Sequence, residues 1–77
     1  MGSKGFATEA AKALLEFGFR ELGLHRIFAT CRPDNLGSAK VLQKIGMSYE
    51  GHIREHKRHN EKWLDSHQYS ILESEYS

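Results

Sequence analysis

The residues before the first helical segment are of types that bind phosphate. Ser3-Lys4-Gly5-Phe6-Ala7 stands directly before a run with helical periodicity. A helix N-terminus presents unpaired N–H groups and a positive dipole end, and small residues let a ligand approach the backbone. Lys4 adds a formal positive charge. The segment therefore predicts a pyrophosphate-binding turn, and a plain turn before a helix is the alternative interpretation.

A second pair of candidate residues stands at the start of the second predicted helix. Asn35 is a natural N-cap, and Ser38 follows three residues later. The capping preference alone explains both residues. The functional interpretation places the Asn35 amide and the Ser38 hydroxyl at the mouth of a site beside the preceding strand end.

Three histidines, His52, His56 and His59, lack the spacing of a metal site. On a strand His52 and His56 share a face about 13 Å apart, which is too far for one ion, and His59 points to the other face. We therefore predict no metal. The same stretch is basic from Arg54 to Arg58, so a weak nucleic-acid surface is the alternative to a solvated strand face.

The single cysteine, Cys31, excludes an intramolecular disulfide. It stands among apolar neighbours at a predicted strand end, and no histidine is placed beside it by spacing. These surroundings favour a buried structural thiol over a nucleophile.

Hydrophobic periodicity predicts two helices to position these residues. The first runs from about Ala7 to Leu22, followed by Gly23, and the second from Leu36 to Ile45, ended by Gly46. The predicted inward residues of the first helix are Ala7, Ala10, Ala11, Leu14, Phe17 and Gly18. Those of the second are Leu36, Ala39, Leu42 and Ile45.

Three strands complete the predicted order, which is helix, strand, helix, strand, strand. The run from His25 to Cys31 predicts a largely buried strand. Two runs in which apolar and polar residues alternate, one from Met47 and one from Trp63, flank a polar turn at residues 59–62. This pattern predicts an antiparallel hairpin. The alternation places one set of side chains on one face of the first run (Met47, Tyr49, Gly51 and Ile53) and His52 on the other.

Length and composition limit the class of protein. The 77 residues allow one small domain, and 39% hydrophobic with 27% charged residues is typical of a soluble globular domain. A formal charge of +1 provides no strong field for nucleic acid or an anionic membrane. No apolar run reaches the roughly 20 residues of a membrane span, and the start lacks a signal-peptide pattern. We therefore expect a cytoplasmic protein.

Taken together, these segments resemble the C-terminal half of a GNAT-family N-acetyltransferase, most closely the ribosomal-protein N-terminal acetyltransferase branch. The resemblance covers nearly the whole chain and depends on an ordered set of short segments. These are Gly5-Phe6-Ala7-Thr8-Glu9-Ala10, Glu21-Leu22-Gly23-Leu24-His25-Arg26-Ile27, Asn35 with Ser38, Leu42-Gln43-Lys44-Ile45-Gly46-Met47, Tyr49-Glu50-Gly51, and Lys62-Trp63-Leu64-Asp65-Ser66.

The resemblance implies an α+β fold, with two helices on a small mixed sheet, and transfer of acetyl from acetyl-CoA to a protein α-amine or a small amine. Backbone amides of Gly5 and Ala7 would hold the pyrophosphate. Asn35 and Ser38 would line the cofactor arm near the thioester, with Ser38 as a proton donor to the CoA thiolate. The full cofactor-binding set expected from the resemblance is Lys4, Gly5, Phe6, Ala7, Thr8, Asn35 and Ser38.

The sequence departs from the family pattern in three respects. Gly2 stands where the motif has Gln or Arg, so residues 1–3 are either vector-derived or a natural start. Leu42 stands where many members have a tyrosine that acts as the acid. The family's N-terminal half is missing, so residues 1–77 are expected to be one partial domain with acetyl transfer near background. A non-catalytic interaction module is the alternative function.

A missing half also leaves surfaces without partners. In the family fold, the strand that corresponds to His25–Cys31 pairs near its start with a strand of the absent half. An unpaired edge is a template for another chain, and the long helix presents more apolar surface than three strands cover. We therefore expect a homodimer.

Overall fold

The computed structural model describes residues 3–76 and shows two helices packed on one face of a three-stranded sheet. The helices are α1 (Ser3–Glu16) and α2 (Leu36–Lys44). The strands are β1 (Arg26–Cys31), β2 (Ser48–His59) and β3 (Lys62–Leu72). The α+β class and the predicted order of the five elements are confirmed.

The middle strand of the sheet is β3, which pairs antiparallel with both β1 and β2. The mixed sheet expected from the resemblance is therefore corrected to an antiparallel one within the described residues. The physical reason is the strand order. Because β3 lies between β1 and β2, these two strands run in the same direction without being neighbours.

The β2–β3 hairpin is closed by the predicted polar turn. Its two central residues, Asn60 and Glu61, have φ angles of 51° and 63°. Positive φ at both central positions is the type I′ geometry, whose twist matches that of the flanking strands. Asn60 tolerates this conformation well because its short polar side chain favours it.

The core is formed by residues that differ from the inward face predicted for the first helix. Leu15 and Phe19 are 3% and 6% exposed, whereas Leu14 and Phe17 are 71% and 52% exposed. The helix has apolar residues on more than one face, and the sheet covers the face of Leu15 and Phe19. The other buried apolar residues are Met47, Tyr69 and Ile71.

A π-helical turn at Phe17–Glu21 extends α1. The Leu22 N–H donates to the Phe17 carbonyl at 3.1 Å, one residue further back than in an α-helix. Gly18 and Phe19 of this turn are buried, at the helical spacing of three and four residues from Leu15. The prediction that Gly18 faces inward is confirmed.

Two further expectations about the helices are wrong in detail. The first helix begins at Ser3 rather than Ala7, so the segment predicted to precede it forms its first turn. In α2, Leu36 is 70% exposed. It occupies the first helical position, where side chains lean back toward the N-terminus and beyond the packed surface. The other three predicted residues, Ala39, Leu42 and Ile45, pack against the core.

The first strand is buried on one face, not on both as predicted. Ile27, Ala29 and Cys31 pack against the core, whereas Phe28 is 57% exposed. The helices cover only one face of the sheet, so alternate side chains of β1 face away from them. Within the described residues β1 pairs on one side only, which makes it an edge strand.

A β-bulge in β2 changes which of its side chains share a face. The strand pairs change from Tyr49↔Tyr69 to Gly51↔Gln68, so β2 has one extra residue, Glu50, that has no partner of its own on β3. Beyond the bulge the alternation is inverted. Tyr49 and His52 therefore lie on the same face, which corrects the predicted assignment of His52.

Candidate functional site

A cleft of about 370 Å³ opens between α1, the end of β1 and the first turns of α2. It brings together Ala7 and Ser38, two residues predicted for the cofactor site from separate segments. Its walls are formed by Ala7, Thr30, Cys31, Gly37, Ser38, Val41 and Leu42. Small side chains at Ala7 and Gly37 leave room for a ligand to approach the backbone.

The first turn of α1 supplies the backbone groups near this cleft. The described part of α1 starts at Ser3, and the N–H groups at the start of a helix have no acceptor within the helix. Thr8 is half-buried and does not line the cleft. The cofactor roles predicted for the side chains of Lys4 and Phe6 lie outside the described residues.

Asn35 and Ser38 have separate roles in the structure. The Asn35 side-chain oxygen accepts a hydrogen bond from the Ser38 backbone N–H at 3.1 Å, which caps α2. Asn35 is exposed and is not a wall of the cleft, whereas Ser38 is half-buried and is one. The cap fixes the first turn of α2 and thereby the position of Ser38.

Cys31 is the wall residue at the end of β1. Burial raises the pKa of its thiol above the usual value. The thiol form therefore predominates at neutral pH, and nucleophilic attack needs the thiolate. This is consistent with the structural role predicted for Cys31.

A larger cavity of about 560 Å³ lies elsewhere, between α1, the end of α2 and the C-terminal residues. Its walls carry both signs of charge, from Glu9, Lys12, Glu16, Lys44 and Glu75. Of the predicted cofactor residues whose side chains the structure describes, Ala7, Thr8, Asn35 and Ser38, none lines it. The smaller cleft is therefore the candidate site.

Sequence reasoning missed a polar cluster across β2 and β3. Nδ1 of His52 lies 3.1 Å from Nε2 of His67, and Nε2 of His52 lies 2.7 Å from Oδ2 of Asp65. Oδ1 of Asp65 accepts the backbone N–H of Glu55 at 2.8 Å. The signal that could have found it is the even spacing of Asp65 and His67 on one strand face, read with a bulge in the partner strand.

These hydrogen bonds lower the pKa of Asp65. The Glu55 N–H is the largest cause, followed by the bond from His52. Glu55 has a φ of 47°, an unfavourable value for a side-chain-bearing residue that costs of order 1–3 kcal/mol. This conformation falls at the second register shift of β2, between Ile53 and Lys57.

No trio of His, Cys, Asp or Glu side chains within the described residues is arranged to hold a metal ion. None of the helices in the same part of the chain has the length and apolar character needed to cross a bilayer. His56 was predicted to share the strand face of His52, and this is wrong. Its Nδ1 lies 2.9 Å from the hydroxyl oxygen of Ser66, which faces away from Asp65 and His67 on β3, because the second register shift of β2 falls between Ile53 and Lys57.

Residues 2–48 match the family model described as acetyltransferase (GNAT) domain. The chain therefore belongs to the GNAT acetyltransferase family. It is 48% identical over 75 residues to the uncharacterized N-acetyltransferase YnaD of Bacillus subtilis, covering 97% of this chain and 44% of that protein. The chain thus spans less than half the length of this relative.

Solved structures show the same fold. A GNAT-family acetyltransferase from Bacillus anthracis aligns with a TM-score of 0.86 at 49% identity, covering 95% of this chain and 44% of that one. The ribosomal-protein-S5-alanine acetyltransferase of Vibrio fischeri aligns at 0.88 and 30% identity, over 100% and 42% of the chains. Escherichia coli spermidine N(1)-acetyltransferase is 34% identical over 50 residues, 65% of this chain and 27% of that protein.

Proposed function

We propose that this chain is the acetyl-CoA-binding part of an N-acetyltransferase and that the cofactor arm lies in the cleft. The observation that carries the proposal is the convergence of Ala7 and Ser38 on one cleft at the end of β1. A helix N-terminus suits a pyrophosphate, and the described part of α1 starts at Ser3. GNAT family membership supports acetyl-CoA as the co-substrate.

The position of each residue gives its proposed role in binding or catalysis. Gly5 and the first-turn amides would meet the pyrophosphate, with Lys4, Phe6 and Thr8 alongside. Ser38 would donate a proton to the departing CoA thiolate, since its hydroxyl side chain is on the cleft wall. Asn35 would act through the cap that positions Ser38 rather than by contact.

The amine acceptor is proposed as a protein N-terminus or a small amine. Similarity to the ribosomal-protein-S5-alanine acetyltransferase supports the first, and similarity to spermidine N(1)-acetyltransferase supports the second. Acetyl transfer is assayed with an alanine-initiated peptide and with spermidine. A preference for either amine, measured above the near-background transfer expected of this partial domain, assigns the class. The location proposed for the protein is the cytoplasm.

Titration with CoA at millimolar concentration, followed by amide NMR, tests the cofactor site. We expect shifts confined to the first turn of α1 and to the cleft walls. Ala7→Leu fills the cleft and should weaken binding, whereas Ala10→Leu, on the same exposed helix surface but outside the cleft, should not. Absence of shifts near Gly5 and Ser38 would contradict the proposal.

We also propose that two copies associate, as an alternative to a lone domain. Leu14, Phe17 and Leu22 are 71%, 52% and 58% exposed, and β1 is an edge. Such apolar exposure marks interfaces, and a two-fold dimer is the simplest closed arrangement. A dimer by sedimentation equilibrium at micromolar concentration supports this, and a well-folded monomer contradicts it.

A further inference from the structure

The polar cluster across β2 and β3 adjoins the candidate cleft. Cys31, a cleft wall, is the direct strand partner of His67. Directly opposed residues of an antiparallel pair share a face, with Cβ atoms about 4.5–5.5 Å apart. Cys31 packs against the core on the helix-bearing face. The His67 ring therefore stands beside the cleft wall, and it is half-buried there.

The hydrogen bonds of the cluster fix where each proton lies. Asp65 is an ionised acceptor, so His52 must present Nε2–H to it across 2.7 Å. Neutral His52 then has an unprotonated Nδ1, which accepts Nε2–H of His67 across 3.1 Å. His67 is left with an unprotonated Nδ1. The order of donors thus runs from His67 through His52 to Asp65.

We propose that Asp65, His52 and His67 form a proton relay that makes Nδ1 of His67 the proton acceptor for the amine substrate. This inference rests on the proposed function. In the reaction the amine nitrogen bonds to the thioester carbonyl carbon and its proton passes to Nδ1 of His67. The C–S bond then breaks, the CoA sulfur takes a proton from Ser38, and the proton held by His67 returns to Ser38 through solvent, which restores both residues. The products are the N-acetylated amine and CoA.

The relay keeps its hydrogen bonds when His67 takes the proton. A protonated His67 keeps its Nε2–H bond to His52, and the Nε2–H of His52 keeps its bond to the Asp65 carboxylate. Asp65 is held in place by the Glu55 N–H. Asp65 and His52 are therefore positioning residues, and His67 is the group that would meet the amine.

The two irregularities of β2 both contribute to this cluster. The bulge at Glu50 turns His52 toward His67, its strand partner. The second register shift places the three residues 54–56 opposite Asp65 alone, and the left-handed Glu55 directs its N–H to that carboxylate. Bulges recur beside active sites, where they redirect side chains.

The first test measures imidazole tautomers by ¹⁵N NMR on the 77-residue chain. We expect the Nε2–H form for both His52 and His67. In Asp65→Asn the remaining side-chain oxygen still accepts the Glu55 N–H, so the new NH₂ group faces His52. Nε2 of His52 must then accept a hydrogen bond instead of donating one. His52 and His67 should therefore both change to the Nδ1–H tautomer. Asp34→Asn, an exposed control outside the cluster, should change neither. An Nδ1–H tautomer of His67 in the wild type would overturn the proposal.

The second test measures reactivity with diethyl pyrocarbonate, which acylates unprotonated imidazole nitrogens. Asp65→Asn should slow acylation of His67 at least fivefold, with His25 as an internal reference because its side chain is 82% exposed. Asp34→Asn should leave both rates within twofold of wild type. Equal rates at His67 in wild type and Asp65→Asn would contradict the relay.

The third test separates this inference from the proposed function. CoA is added while the cleft amides and the His67 ring are both observed. Shifts at Ser38 accompanied by protection of His67 from acylation support both proposals. Shifts at Ser38 without any effect on His67 contradict the proposal that the relay lies at the cleft, and they still support the cofactor site. No shift at Ser38 rejects the cofactor site, and the relay is then judged by its tautomers.

Discussion

A Cβ atom at Gly18 would lie 2.6 Å from Cδ1 of Ile27, so the π-helical turn meets β1 through bare backbone. This approach seats Phe19 in the core next to Tyr76, whose ring centroid is 5.0 Å away. A side chain at position 18 would have to displace Ile27 or lift the turn from the sheet. The close contact thus links the end of the first helical segment to the strand that forms the cleft wall.

We expect Gly18→Ala to destabilise the fold. Overpacking of this kind costs about 1–3 kcal/mol. A rotamer change of Ile27 and the helical preference for Ala over Gly, about 1 kcal/mol, offset part of that cost. Thermal unfolding followed by circular dichroism should show a midpoint lower by several degrees. Gly51→Ala is the matched control, because no atom lies within 4 Å of its added Cβ. Equal midpoints for the two variants would contradict the close contact.

The Asn35 cap gives a second prediction. Asn35→Ala removes the acceptor of the Ser38 N–H and should cost about 1 kcal/mol of stability. Asn35→Asp retains an acceptor and should cost little. If Asn35 acts only through the cap, CoA affinity should fall with Ala and persist with Asp. Loss of affinity in both variants, at unchanged stability of Asn35→Asp, would show direct contact instead.

The depressed pKa of Asp65 gives a pH dependence. Its hydrogen bonds with Glu55 and His52 lower the pKa of the folded-state carboxyl, so the ionised form contributes stability above about pH 4, the usual value for an unfolded chain. That contribution is lost as pH falls through the lower folded-state pKa. Asp65→Asn removes the titration.

Urea unfolding at pH 6 and at pH 2.5 measures this effect. The stability difference between wild type and Asp65→Asn should be larger at pH 6 and shrink at pH 2.5. Asp34→Asn is the control, and its difference from wild type should stay constant. A difference that persists undiminished at the lower pH would show that the Asp65 hydrogen bonds do not depend on its charge.

The sequence predicted most of the fold and only part of the site. Element order, the Asn35 cap and the polar hairpin turn follow from local patterns, and the structure has all three. The inward face of α1 was wrong because the segment has apolar residues on more than one face, and periodicity alone does not show which face the sheet covers. The His52–His67–Asp65 cluster was missed because a bulge inverts the alternation of β2, and no residue type at Glu50 signals that bulge.

Proline in β1 tests which surface joins the proposed dimer. In an antiparallel edge strand, successive N–H groups point alternately toward the neighbour and away from it. Of Phe28→Pro and Ala29→Pro, one therefore removes an outward N–H and the other removes one bonded to β3. The variant that loses the outward N–H should dissociate the dimer while keeping its circular dichroism spectrum, if the β1 edge is the dimer interface.

Leu14→Lys combined with Phe17→Lys, two exposed positions on the helical segment, should then leave the dimer intact. Sedimentation equilibrium reads both results, and dissociation by the lysine pair alone would assign the dimer interface to the helix instead.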